Sequence, residues 1–235
     1  MRYFLIVVGI VFLIVALITL QNLFASPLPP KEPEVVRYIP LGDSYTIGTK
    51  VDPQDSFPQQ LVFDLNTNKI PTILVTNPAG NGWTSQQLID NELPIFEKSA
   101  PTFTTLLIGV NDWNRGVPIT TFKKNLKIIL DRVQKTLPDP TKIILITIPD
   151  FSVTPTGETY GDPQYNSMEV QKFNAIVKDE AKARNLQIVD VFFLSQEMGR
   201  DPSLLASDKL HPSAKEYRLW EKEIFPVAKL MLKAK

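Results

Sequence analysis

Five short apolar runs, with helical periods between them, do most to limit what this chain can fold into. They are VVRYIPL (35–41), TILVTN (72–77), FTTLLIG (103–109), KIILITI (142–148) and LQIVDV (186–191). Each is too short for a typical helix and rich in Val, Ile, Leu and Thr, as strands buried on both faces are. The intervening stretches keep a 3.6-residue period. Phe122, Leu126, Ile129 and Val133 share one stripe of 118–136, and Val170, Phe173 and Val177 share one stripe of 164–184. Shorter helices are expected over 58–66 and 84–92, the second opened by a Thr84–Gln87 capping box. A last helix should start at Ser213, where SAKE matches a capping box, with a kink at Pro226. Strands alternating with helices predict parallel pairing through right-handed crossovers. The expected fold class is therefore α/β, a three-layer α/β/α sandwich around a five-stranded parallel sheet.

In such sheets ligands bind beyond the carboxyl ends of the strands, so the residues following each strand carry the functional information. PLGDSYTIG (40–48) puts Ser44 just past the first strand, between Gly42 and Gly48. By itself GDS also fits an ordinary Asp–Ser helix cap. NPAGNGWTSQQL (77–88) follows the second strand as a glycine-bearing turn leading into a helix, an arrangement that aims backbone N–H groups outward. GVNDWNRG (109–116) follows the third. There Asn111 is either a turn residue or a neutral donor, Asp112 a cap or an ion-pair partner, and Arg115 a surface ion pair or a contact for an anionic substrate group. After the fifth strand, DKLHP contains the chain's only histidine, His211, three residues beyond Asp208. That spacing lets one carboxylate reach the imidazole Nδ1–H and orient the ring.

A serine nucleophile needs a base, the base needs an orienting acid, and a tetrahedral intermediate needs donors for its oxyanion. All these parts lie in strand-end loops on one rim. As a set and in this order, GDSYTIG, NPAGNGWTS, GVND and DKLHP resemble the blocks of the SGNH/GDSL hydrolase superfamily of esterases and lipases, bacterial type. The resemblance covers most of 35–225. It implies a flavodoxin-like sheet and the chemistry of a carboxylic ester hydrolase. Carried over residue by residue, it implies Ser44 as nucleophile, His211 as base and Asp208 as its orienter. The oxyanion hole would comprise the N–H groups of Ser44 and Gly82 and the side chain of Asn111, with Gly80 less suited than Gly82. Trp83 and Trp113, beside the second and third blocks, are candidate substrate-binding residues. The long loop 149–163, after the fourth strand, is a candidate specificity element or lid.

The expected function is hydrolysis of short-acyl, carbohydrate or lipid esters through an acyl-enzyme on Ser44. A lysophospholipase or thioesterase would use the same machinery, and a non-catalytic glycan- or lipid-binding module would use only the fold. Activity of a histidine-dependent enzyme should fall on acidification, as the base takes up a proton. Twenty-five Lys and Arg balance 25 Asp and Glu, which leaves no basic footprint for nucleic acid. No cysteine and one histidine exclude disulfides and thiolate metal sites, and no acidic cluster has calcium-loop spacing. No metal and no cofactor are expected.

Tyr3–Leu20 is an unbroken apolar run with Thr19 its clearly polar member. As a helix it would be about 27 Å long, close to the hydrocarbon thickness of a bilayer. Residues 1–24 are thus expected to be a transmembrane anchor or, if cleaved, a signal segment, with Arg2 on the cytoplasmic side. Residues 25–34 form a proline-rich linker, and 35–235 the hydrolase domain. This organisation places a single-pass membrane protein's catalytic domain outside the cytoplasm, or secretes it after cleavage.

Overall fold

The computed structural model describes residues 34–233. The expected anchor at 3–20 and most of the linker lie outside them. Among the described residues no helix is long and apolar enough to cross a membrane.

All five apolar runs are strands, but the first is in two pieces: β1 (Val36–Tyr38) and β2 (Leu41–Gly42). Pro40 lies between them and has no N–H to give to a ladder. β1 pairs in parallel with β3 (Thr72–Leu74), and β2 pairs in parallel with β4 (Thr104–Leu107). β5 (Ile143–Ile146) and β6 (Gln187–Val189) complete the second sheet, in the order β2–β4–β5–β6. The expected five-stranded sheet is thus a two-stranded and a four-stranded parallel sheet. They are joined by a bridge between Tyr38 and Phe103 and by a hydrogen bond from Ile39 N–H to Phe103 O at 3.2 Å. Register follows the apolar pattern, with Leu41 opposite Leu106, Leu106 opposite Leu145 and Leu145 opposite Ile188.

Every residue of β4 and β5 is buried, as central strands covered by helices on both faces must be. The edge strands β3 and β6 each expose a residue. The helices are α1 (Ser44–Ile47), α2 (Phe57–Thr67), α3 (Ser85–Gln87), α4 (Leu93–Lys98), α5 (Val110–Asn114), α6 (Ile119–Thr136), α7 (Pro163–Ala183), α8 (Phe192–Ser195) and α9 (Ala214–Lys233). The stripes on α6 and α7 are buried as their period requires.

Two local expectations need correction. The second helical segment does not stop at 92. A π-helical turn over Leu88–Glu92, closed by Leu93 N–H on Leu88 O, carries it around Pro94 into α4. At the start of α9 the capping box is half made. Ser213 Oγ accepts from Glu216 N–H at 3.4 Å, but the Glu216 carboxylate turns inward to the Trp220 indole N–H at 2.7 Å. The Thr84–Gln87 box is complete, and α9 continues through Pro226.

Sheet order reverses where β2 lies beside β4: the chain leaves β2 for β3 on one side and returns to β4 on the other. The loops after β2 and β4 therefore open at a topological switch point, where a crevice forms.

Candidate active site

Ser44 leaves β2 by a turn that only glycine at position 42 permits. Gly42 has φ +155°, and a Cβ there would lie 2.3 Å from the Leu107 carbonyl. Asp43 caps α1, its Oδ1 accepting from Tyr45 N–H at 3.0 Å. The cap reading of GDS is therefore correct, and the cap is also what sets Ser44 at the first position of α1, facing the crevice.

Ser44 Oγ is 3.0 Å from His211 Nε2, across 167 residues of sequence. His211 Nδ1 is 2.7 Å from Asp208 Oδ2. Asp208 Oδ1 accepts from the N–H groups of Leu210 at 3.1 Å and His211 at 3.0 Å, which closes the loop on itself. Partial burial pushes the Asp208 carboxyl up. The hydrogen bonds from His211 and Leu210 outweigh this and hold it below the usual aspartate range. An ionised carboxylate only accepts, so Nδ1 carries the proton and Nε2 is left to accept from Ser44 Oγ–H. The Tyr45 ring lies 5.6 Å from the imidazole, with Trp220 5.9 Å behind it. Thr156, in the long loop after β5, holds the Asp208 carbonyl with its hydroxyl at 2.8 Å and Lys209 O with its N–H at 3.2 Å.

The other side of Ser44 is the turn 80–84. Gly82 has φ +71°, a left-handed conformation that glycine adopts without strain. Its N–H and that of Ser44 meet no protein acceptor among the described residues. Asn111 Nδ2 donates to Trp83 O at 3.0 Å and approaches Asp43 Oδ2 at 3.4 Å, so it reaches both the turn and the α1 cap. Three carboxyls are packed behind this side. Burial pushes Asp43 up to about 8, partly offset by the Tyr45 amide. Asp112 is raised by burial although Ser85 N–H and Oγ–H donate to it at 2.7 and 2.5 Å, and Glu92, which takes the Gly42 N–H at 2.9 Å, is raised well above its ordinary value by burial. Asp112 is thus a buried anchor for the start of α3.

A cavity of about 50 Å³ opens beside Ser44 and His211. Val110, Phe151, Tyr160 and Leu210 give it apolar lining, and Asn111 and Asn114 give it polar lining. Neither indole is part of it. Trp83 lies flat against Gly80, and Trp113 packs on Phe151 at 5.2 Å between centroids. Phe151 in turn meets Tyr160 edge-on at 5.8 Å. The loop 149–163 thus supplies one wall. It is anchored by Asn174, which grips Ile148 N–H and O at 2.7 and 2.9 Å, and by Ser195 Oγ, which accepts from Asp150 N–H at 2.7 Å. Sequence reasoning did not find Tyr45, Asn114, Phe151, Tyr160 or Leu210. Tyr45, Asn114 and Leu210 lie inside the GDSYTIG, GVNDWNRG and DKLHP blocks, and Phe151 and Tyr160 inside the loop 149–163, but no spacing marks any of them individually. Arg115 forms no ion pair among the described residues: its guanidinium donates to Gly82 O at 2.7 Å and Gln87 Oε1 at 3.3 Å. Among the described residues no group of three or more His, Cys, Asp or Glu side chains is arranged to hold a metal ion.

The model of the GDSL-like lipase/acylhydrolase family matches residues 41–219, which span every block described above. No curated protein sequence matches the chain. Three solved structures show the same fold at low identity. The psychrotrophic esterase EstA from Pseudoalteromonas sp. is 21% identical with a TM-score of 0.64, over 83% of this chain and 98% of the other. The lipase/acylhydrolase from Enterococcus faecalis is 23% identical with a TM-score of 0.62, over 85% and 98%. Axe2, an acetylxylan esterase from Geobacillus stearothermophilus, is 17% identical with a TM-score of 0.60, over 85% and 95%.

Proposed function

The chain belongs to the GDSL-like lipase/acylhydrolase family, and from that premise we propose that it is a serine esterase for short-acyl esters, working through an acyl-enzyme on Ser44. The observation that carries the reading is the continuous relay of Ser44 Oγ, His211 and Asp208 at 3.0 and 2.7 Å. His211 Nε2 takes the hydroxyl proton as Oγ attacks the ester carbonyl, then returns it to the leaving alcohol. Asp208 holds the ring and stabilises the imidazolium formed in between. Charge on the carbonyl oxygen collects at the free N–H groups of Ser44 and Gly82. Asn111 Nδ2 joins them by giving up its long contact to Asp43. Water then repeats the sequence on the acyl-enzyme.

The size of the cavity supports a short acyl group. It measures about 50 Å³ and is walled on one side by Phe151 and Tyr160. Asn114, exposed at the same cavity, suits a hydroxyl-bearing alcohol such as a sugar. Likeness of fold to an acetylxylan esterase agrees with that choice. An outward-facing domain tethered by residues 3–20 belongs to the same reading, supported by the apolar sequence of that run.

The test is turnover of nitrophenyl esters from acetyl to decanoyl by the full chain in detergent, beside Ser44→Ala. The expected result is highest kcat/KM on acetyl or propionyl, a fluorophosphonate adduct on Ser44, and loss of both in the variant. A folded wild type that neither hydrolyses esters nor labels would refute the reading, and a decanoyl optimum would refute the short-acyl part.

A further inference from the structure

Arg115 is attracted by the nearby Asp112 carboxylate but makes its short contacts elsewhere. Its guanidinium lies against the Thr84–Gln87 box that opens α3, where the N–H groups of Thr84, Ser85 and Gln87 are already taken by Gln87 Oε1, Asp112 Oδ2 and Thr84 Oγ1. Among the described residues no carboxylate forms an ion pair with it. What it does reach is one backbone oxygen, Gly82 O at 2.7 Å, and the side chain of the capping residue Gln87 at 3.3 Å. It comes from the end of α5, so it ties the loop after β4 to the turn after β3.

We propose that Arg115 is a positioning residue for the oxyanion hole, one that sets the direction of the Gly82 N–H. The inference rests on the esterase reading above. The Gly82 N–H and C=O flank a single Cα with no side chain, in a turn outside any helix or sheet. Glycine restrains its own two torsions least, so an external hold on the peptide that follows Gly82 limits how far this turn, and with it the preceding peptide, can swivel. Other holds on the turn act elsewhere: Thr49 Oγ1 bonds the Asn81 side chain, and Asn111 bonds Trp83 O. Among the described residues, Arg115 alone hydrogen-bonds to Gly82 itself. Arginine suits the task because its planar fork presents two donors in fixed relation to two acceptors, which the point charge of a lysine cannot.

The test compares full-length wild type, Arg115→Lys and Arg115→Ala on the neutral substrate nitrophenyl acetate. Arg115→Ala should lower kcat about 10–100-fold, the range for a displaced catalytic donor, with KM within about threefold. Arg115→Lys should fall between. Added guanidinium ion should restore several-fold activity to Arg115→Ala and do nothing for wild type, a response that a merely stabilising residue would not give. If Arg115→Ala melts well below wild type, Arg115→Gln, which keeps a neutral donor near Gly82 O, takes its place in the same comparison. A kcat within twofold of wild type, a loss confined to KM, or no rescue would overturn the assignment while leaving the esterase intact. A wild type without turnover or Ser44 labelling would overturn both.

Discussion

The loop carrying Asp208 and His211 and the turn carrying Gly82 flank the same serine, yet they are held in opposite ways. The first is organised from within by one carboxylate, Asp208 accepting from Leu210 N–H, His211 N–H and the His211 ring, all within three residues, and Thr156 adds a hold from the loop after β5. The second is held by groups that come from far along the chain, namely Thr49, Asn111 and Arg115. The difference follows from chemistry. A carboxylate has lone pairs enough to organise most of a short loop, whereas a turn of Gly, Asn and Gly has little of its own to hold it. A base can be oriented locally. A backbone donor aimed into space has to be fixed by its neighbours.

The hardest blow to the self-closed side is Asp208→Asn. An amide facing Nδ1 favours the wrong imidazole tautomer, so kcat should drop about 10³–10⁴-fold with little change in melting temperature. Steady-state turnover on nitrophenyl acetate beside a thermal melt checks it. If the variant kept a tenth of wild-type activity, Asp208 would not be the orienting acid. On the remotely held side, Asn111→Ala removes one donor and one hold on Trp83 O together. It should lower kcat about 10²–10³-fold at near-constant KM and slow Ser44 labelling in parallel. Undiminished labelling would remove Asn111 from the oxyanion hole.

The smallest expected effect concerns stability, and it arises where the self-closed loop runs into α9. Burial raises Glu216 to about 7, with Glu197 adding to it and the Trp220 N–H and Lys215 opposing. Glu221 is likewise raised to about 7 by burial, and Asp43 to about 8. A carboxyl whose folded pKa is raised binds its proton more tightly in the native state. Its contribution is complete below the unfolded pKa of about 4 and is lost as pH rises through the folded value. Asp208 and Asp201 are lowered and work the other way, their contribution fading as pH falls below about 4. The melting temperature should therefore be highest near pH 4–5 and decline toward pH 8. Glu216→Gln, which can still accept from Trp220, should raise it by about 3–6 °C at pH 8 and by under about one degree at pH 5. Equal shifts at both pH values would mean that Glu216 does not titrate in that window.

Strands, helices and the order of the motifs were legible because they depend on local pattern. The all-buried runs of β4 and β5 and the stripes of α6 and α7 carry their period in the sequence. Where the pattern misled, a proline or a buried polar group was involved. Pro40 split the first strand, a π turn carried the chain past Pro94, and the indole N–H of Trp220 drew Glu216 out of its capping box. The candidate site divides the same way. Ser44, Asp208, His211, Gly82 and Asn111 could be named from short motifs that follow strands, although DKLHP comes after β6 only by way of α8 and two 3-10 turns, and parallel strands bring their ends to one rim. That Ser44 and His211 meet at 3.0 Å across 167 residues was settled by sheet order. The wall of Phe151 and Tyr160 and the grip of Arg115 on Gly82 O were decided in three dimensions as well. Sequence alone determined which chemical groups the rim would hold, since side-chain identity and local turns are written residue by residue. Which of them touch, and how much room they leave a substrate, depended on packing between elements far apart in the chain, and no local spacing encodes that.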